Sequence, residues 1–188
     1  TPEEANAIIL ALCDRHGARR MVKGKSMVSE EIEFNHAAEA HGMEALESDM
    51  GEYIVQLAGE KPSHIIMPAI HKTKEQIARL FHEEVPGVDY TDNVDALIQI
   101  GRTVLRQKFL EADIGLSGVN FAVAESGTLC LVENEGNGRM CTTVPSVHVA
   151  ITGLEKVVHK LEHVPPLYSL LTRSATGQNI STYFNMIS

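Results

Sequence analysis

An α/β fold, with a mainly parallel open sheet covered by helices, follows from three observations on this sequence. Strand-like and helix-like segments alternate at roughly twenty-residue spacing, the signature of βαβ units. The strand-like segments are nearly continuous apolar runs, as in strands buried on both faces. No repeat, low-complexity tract or linker divides the 188 residues, so residues 1–188 are expected to form a single domain able to bury a core unaided.

The elements follow in order. Ala5, Ile8, Ile9 and Leu12 recur at helical spacing, and Gly17 ends that helix. ARRMV is a short strand leading into KGKSM. Ser29 is expected to cap a second helix, with Glu30 and Glu31 in its first turn and Gly42 at its end. MEALE reads as a strand, DMGEYIVQLA as a helix and SHIIMPA as a third strand. Thr73 opens the helix TKEQIARLFHEEV, which closes before Pro86 and Gly87. A longer helix carries Val94, Leu97, Ile98, Val104 and Leu105 on one face. The strands ADIGLSG, Thr128 to Val132 and VHVAIT follow, then a helix from Leu154 and the tail PPLYSLLTRSATGQNISTYF, which ends in a polar, glycine-containing loop.

Composition bounds the function. The net charge of −9, with 16 basic and 25 acidic residues, argues against nucleic acid or an anionic membrane as partner. Cys13, Cys130 and Cys141 are scattered and odd in number, with no C-x-x-C spacing. Neither a disulfide framework nor a zinc or iron–sulfur site is expected from them. The apolar runs AIILAL and HIIMPAI are too short to span a bilayer. A reducing, cytoplasmic setting is the expectation. A chain that opens TPEEAN without Met reads as a fragment of a longer one.

Ligands of open α/β sheets bind beyond the carboxyl ends of the strands. That rule selects the loops KGKSMVS, PAIHKT, LSGVN and NEGNGR. Lys23, Lys25 and Ser26 stand just before a helix N-terminus, which suits an anion, although a capped helix with solvated lysines explains them as well. NEGNGR supplies Asn134, Glu135, Asn137, close-approach glycines and Arg139 for bidentate anion contact. A turn with a solvated arginine is the plain alternative. Glu125 and Glu135 invite an acid–base pair, but a strand rising about 3.3 Å per residue sets them roughly 20 Å or more apart. His71, at the expected carboxyl end of SHIIMPA, is a candidate base or ligand, though a loop entering a helix accounts for it too. Ser26, Ser126 and Ser174 lack a nucleophile-elbow context. Arg173 heads a third polar loop, RSATGQ.

Taken together, KGKSMVSEEIEFN, DMGEYIVQLAGEKPSHIIMPAIH, GVNFAVAESGTLCLVENEGNGR and RSATGQ, in this order, resemble the LUD domain of bacterial lactate-utilisation proteins of the B type. These are the iron–sulfur subunits of a three-protein system. The resemblance runs from about Ala5 to Tyr183. It implies a fold like the ribose-phosphate isomerase and CoA-transferase group, and participation in oxidising L-lactate to pyruvate. It also implies two partners, a cysteine-rich subunit and a second LUD-domain protein, besides a small carboxylate or anionic ligand. The family's longer chains carry 4Fe-4S clusters for electron transport in a ferredoxin-like region absent here, so the fragment alone is expected to lack turnover. The motif positions it carries over are Lys23, Lys25, Ser26, Asn120, Glu125, Thr128, Asn134, Glu135, Asn137 and Arg139. The glutamate nucleophile of CoA-transferase relatives makes Glu125 a counterpart by fold analogy. Two other readings stay open: a non-redox enzyme of the CoA-transferase or sugar-phosphate isomerase type, and a non-catalytic assembly module.

Overall fold

Strand β1 (Arg20–Lys23) pairs in parallel with β2 (Glu44–Glu47) on one side and β3 (Ile114–Ser117) on the other, and β3 pairs in parallel with β6 (Val147–Ala150). The order β2-β1-β3-β6 in this computed structural model makes an all-parallel four-stranded sheet, as the continuous apolar strands lead one to expect. The structure describes residues 1–64, 66–179 and 183–188.

Helices cover both faces. Met21, Ile114 and Leu116 pack with Ile9 and Cys13 of α1 (Pro2–Arg15) and with Phe34 and Ala38 of α3 (Phe34–Ala40). Alternate residues point the other way, so Val22 packs with Phe109 of α6 (Val94–Glu111) and Cys141 of α7 (Asn137–Thr143). A third cluster joins Tyr53 and Ile54 of α4 (Met50–Leu57), Phe81 of α5 (Lys74–Glu84), and Leu97 and Leu105 of α6. Caps fix the starts: Thr1 and Thr73 form capping boxes, while Asp49 and Asn93 accept from the backbone N–H groups of Glu52 and Ala96. Each cap contributes about 1 kcal/mol.

A second sheet, order β7-β4-β5-β8, joins the C-terminal half. Strands β4 (Phe121–Val123) and β5 (Leu129–Glu133) form an antiparallel hairpin. Strand β8 (Tyr183–Ile187) runs antiparallel to β5, and β7 (Val157–Val158) is parallel to β4. Helix α8 (Val164–Thr176) packs on this sheet through Val164 and Tyr168, whose ring lies 5.0 Å from that of Phe184.

Four local expectations are corrected. The described residues of SHIIMPA form no strand: Ser63 N–H donates to the Pro68 carbonyl, and His64 Nδ1 accepts from the N–H groups of Ile66 and Met67. These bonds curl the segment and leave Ile66, Met67 and Ile70 exposed. Ser26, not Ser29, caps the second helix, α2 (Met27–Glu31), accepting from Ser29 N–H; Glu33 at φ 52° then separates α2 from α3. No α-helix starts at Leu154, where a short 3-10 turn leads into β7. The tail is helical instead, because Pro165 and Pro166 fit a helix's first turn and Gly177 closes it at φ 73°. RSATGQ therefore divides between the last turn of α8 and its cap.

Candidate functional site

Strands β1, β2 and β3 end together, and their carboxyl ends carry Lys23, Glu47 and Ser117. Lys23 Nζ is almost wholly buried. It lies 2.7 Å from Glu47 Oε1, 2.8 Å from Glu30 Oε1 and 2.9 Å from Ser29 Oγ. Burial alone would pull the ammonium's pKa down, but the carboxylates of Glu47 and Glu30 outweigh it and hold the pKa above its ordinary value. Lys23 is thus an interior pillar that ties α2 to β2.

Lys25 faces the opening. Its Nζ is 3.6 Å from Asp49 Oδ2 and donates to the Ile66 carbonyl at 3.3 Å. Asp49 divides its oxygens, Oδ1 capping α4 and Oδ2 facing Lys25. Glu135, in the loop after β5, brings its carboxyl close to that of Asp49. Glu135 is exposed as a residue, yet its carboxyl end is turned into the cleft. Loss of water there, then the Asp49 charge, raise its pKa to about 7 against the pull of Lys25. Glu52, one turn into α4, is buried; desolvation first and Glu47 second lift it to about 8.

Helix α7 brings the second sheet's loop to this edge. Cys141 Sγ is 3.4 Å from Ser48 Oγ, and burial pushes its thiol up to about 12. Glu133 Oε1 accepts from Arg139 N–H and from Asn185 Nδ2, both at 2.9 Å. The Arg139 guanidinium lies 4.6 Å from the centre of the Tyr183 ring. Asn137 accepts from Gly138 N–H, and Asn134 lies exposed beside Glu135.

The remaining sequence candidates lie elsewhere or hold the frame. Ser26 caps α2, and Asn120 Oδ1 accepts from Val132 N–H, bracing the hairpin. Glu125 and Thr128 occupy the opposite end of β5, where Glu125 Oε1 accepts from Leu161 N–H and Thr128 Oγ1 meets Ser126 and Ser188. His71 sits between Ser63 Oγ and Glu60 Oε2, each at 2.7 Å, in the exposed loop after α4. Arg173 Nε donates to Asn179.

Asp49, Glu52 and Glu47 were not singled out from sequence. D-M-G-E reads as a helix start with a cap and an acidic third position, which accounts for both acids without a site. Only the β1–β2 pairing reveals that this start abuts Lys25.

Because the folded state holds the Glu52 proton more tightly than the unfolded chain does, stability is full below the ordinary value of 4.5 and falls as pH rises toward about 8. Urea titrations at pH 5 and pH 9 are expected to differ by several kcal/mol, and Glu52→Gln to remove most of that difference.

Iron–sulfur clusters take thiolate ligands, and the three cysteines do not fit one. Cys13, Cys130 and Cys141 are free and buried in three separate cores. Among the described residues no group of three His, Cys, Asp or Glu side chains stands where it could hold a metal ion, and no helix is long and apolar enough to cross a membrane.

These features define a class: an α/β domain whose ionisable side chains converge at the carboxyl edge of a parallel sheet, where open α/β folds hold ligands. The chain belongs to the LUD domain family, whose model matches residues 1–188. It is 47% identical over 188 residues to lactate utilization protein B of Bacillus pumilus and 43% identical to that of Bacillus subtilis, matching all of this chain in both cases. It is also 45% identical, over 97% of its length, to the uncharacterized electron transport protein YkgF of Escherichia coli. It spans about 40% of the length of these relatives. No solved structure matches the chain.

Proposed function

We propose that this domain is the ligand-holding part of a lactate-utilisation protein, and that the cleft around Lys25 takes a small 2-hydroxy or 2-oxo carboxylate. One observation carries the reading: a loosely paired Lys25 beside a Glu135 carboxyl that titrates near neutrality. At 3.6 Å the Asp49 contact is an ion pair and not a hydrogen bond, so Lys25 keeps N–H donors for an incoming carboxylate. A carboxyl with a pKa of about 7 is balanced between holding and releasing a proton.

In this reading Lys25 anchors the carboxylate of L-lactate, and the ionised form of Glu135 takes the proton of the 2-hydroxyl as pyruvate forms. Arg139, exposed at the same edge, adds positive charge. The C2–H bond breaks in the same oxidation, and its hydrogen leaves with the two electrons, as a hydride equivalent, to an acceptor that these residues do not supply. The 4Fe-4S clusters implied by the resemblance belong to the remainder of the longer protein, and its cysteine-rich and second LUD-domain companions complete the reaction in the cytoplasm. Exposed apolar side chains on α8, Leu167 and Leu170, with Leu154 ahead of β7, support a face that such partners cover.

Calorimetric titration of the full-length protein with L-lactate and with pyruvate tests the cleft. Binding of at least one is expected, with Lys25→Ala weakening it tenfold or more. Silence from both ligands removes the reading.

A further inference from the structure

Three buried carboxylate oxygens near this edge have no donor among the described residues: Glu133 Oε2 on β5, and Glu47 Oε2 and Glu52 Oε2 on the adjoining β2 and α4. Glu47 and Glu52 are both more than nine-tenths buried. Glu47 Oε1 is fully engaged, taking Lys23 Nζ at 2.7 Å and Asn35 Nδ2 at 2.8 Å, while Oε2 is left over. A buried carboxylate oxygen without a donor costs about 1–3 kcal/mol or more, and two carboxylates in contact cannot both remain ionised cheaply. One proton placed between them removes both penalties, because a protonated carboxyl donates to its neighbour.

We propose that Glu47 and Glu52 share one proton beneath Lys25, and that this proton decides whether the cleft admits a carboxylate. The gating half rests on the carboxylate reading given above; the shared proton does not. Every ionisable group facing Glu52 bears on the balance. Glu47 meets it from β2, Lys25 from the loop after β1, and Asp49 from the cap of its own helix. Glu135 stands beyond Asp49, and Lys23 with Glu30 stands behind Glu47.

With Glu52 protonated, the Lys25 charge is balanced by Asp49 and, above about pH 7, by Glu135, with no further negative charge behind them. With Glu52 ionised, Lys25 answers to two interior carboxylates, and the ligand enters net negative charge in a region of low dielectric. The desolvation that holds the proton on Glu52 is therefore also what keeps Lys25 available. Glu135, also raised, faces the cleft opening beside Asp49, whereas Glu52 lies buried behind it, so position assigns Glu135 as proton acceptor and Glu52 as gate.

Two measurements on the full-length protein test this. A carbon-NMR titration of the glutamate side-chain carboxyls is expected to show, besides Glu135, one group with a midpoint far above the ordinary range. That signal should vanish in Glu52→Gln and move down in Glu47→Gln, a second variant in case the first fails to fold. Pyruvate affinity is expected to fall about tenfold between pH 7 and pH 9, as the competent fraction drops. Glu52→Gln, whose amide donates the same hydrogen bond without titrating, flattens the profile above pH 8. If every glutamate other than Glu135 titrates in the ordinary range, the shared proton is overturned whatever the ligand does. A shared proton without any binding of pyruvate or lactate overturns the carboxylate reading, and the gating role falls with it.

Discussion

Lys23→Met is expected to destabilise the domain by about 3–5 kcal/mol, the usual cost of removing one partner from a buried ion pair. The methionine fills most of the volume, so the loss is electrostatic. Glu47 keeps only Asn35 as a donor, in a site with no water-facing oxygen, and Glu30 and Ser29 lose the anchor that seats α2. The Lys23 pKa is raised on folding, so its contribution is complete at all pH values below the ordinary lysine range and disappears only as pH climbs through the folded value. The lysine stays charged at both pH 6 and pH 8, so any difference between the losses at those values comes from the Glu47–Glu52 pair, which binds a proton more readily at pH 6. Urea denaturation midpoints measure it, and the double variant Lys23→Met with Glu47→Leu should recover part of it, since the stranded charge goes too. A single variant as stable as the parent would mean that the ammonium does not lie between Glu30 and Glu47.

The lysine exposes the limits of reading this site from sequence. Lys23 and Lys25 stand two residues apart in KGKSM, and both looked like anion contacts. Strand geometry treats them differently. Lys23 is the last residue of β1 and points into the interior, whereas Lys25 lies beyond the strand and faces Asp49 and the Ile66 carbonyl. Periodicity located the parallel strands and the helices α4, α5 and α6 well, because their apolar stripes are long. It failed at SHIIMPA, where apolar residues line an exposed turn that His64 and Ser63 hold by hydrogen bonds to the backbone. It failed again after Gly153, because Leu154 is exposed and its apolar neighbours make a 3-10 turn and a two-residue strand. The NEGNGR and KGKSM loops do lie side by side, with a Cβ built on Gly24 falling 3.6 Å from Gly138 Cα. The topological rule for open sheets joined them on a wrong premise: β5 belongs to the second sheet, antiparallel to β4 and β8, and it is α7 that carries its loop to the parallel sheet's edge. Asp49 and Glu52 escaped notice because helix-start chemistry already explained them.

Gly115→Ala should be comparably damaging, costing about 3 kcal/mol or more and uncoupling the second sheet's loop from the first sheet. Gly115 lies in the middle of β3, in register with Val22 on one side and His148 on the other. A Cβ there would stand 1.9 Å from the carbonyl oxygen of Cys141 and 2.9 Å from its carbon. Those are backbone atoms of α7, so no side chain can swing aside, and only lifting the helix relieves the overlap. Lifting α7 breaks the Cys141 contact with Ser48 and moves Arg139 and the Glu133–Gly136 turn, which carries Glu135, away from Lys25 and Asp49. Stability and carboxylate binding should therefore fall together. Gly24→Ala is the control, because its Cβ meets nothing closer than 3.6 Å and should change stability by about 1 kcal/mol or less. Urea midpoints for the two variants, with pyruvate titrations on whichever folds, separate a seated α7 from a loosely docked one. If Gly115→Ala matches Gly24→Ala, α7 is not pressed onto β3 as described. The helix would then be a weak tether for Glu135, and the cleft a feature of the first sheet alone.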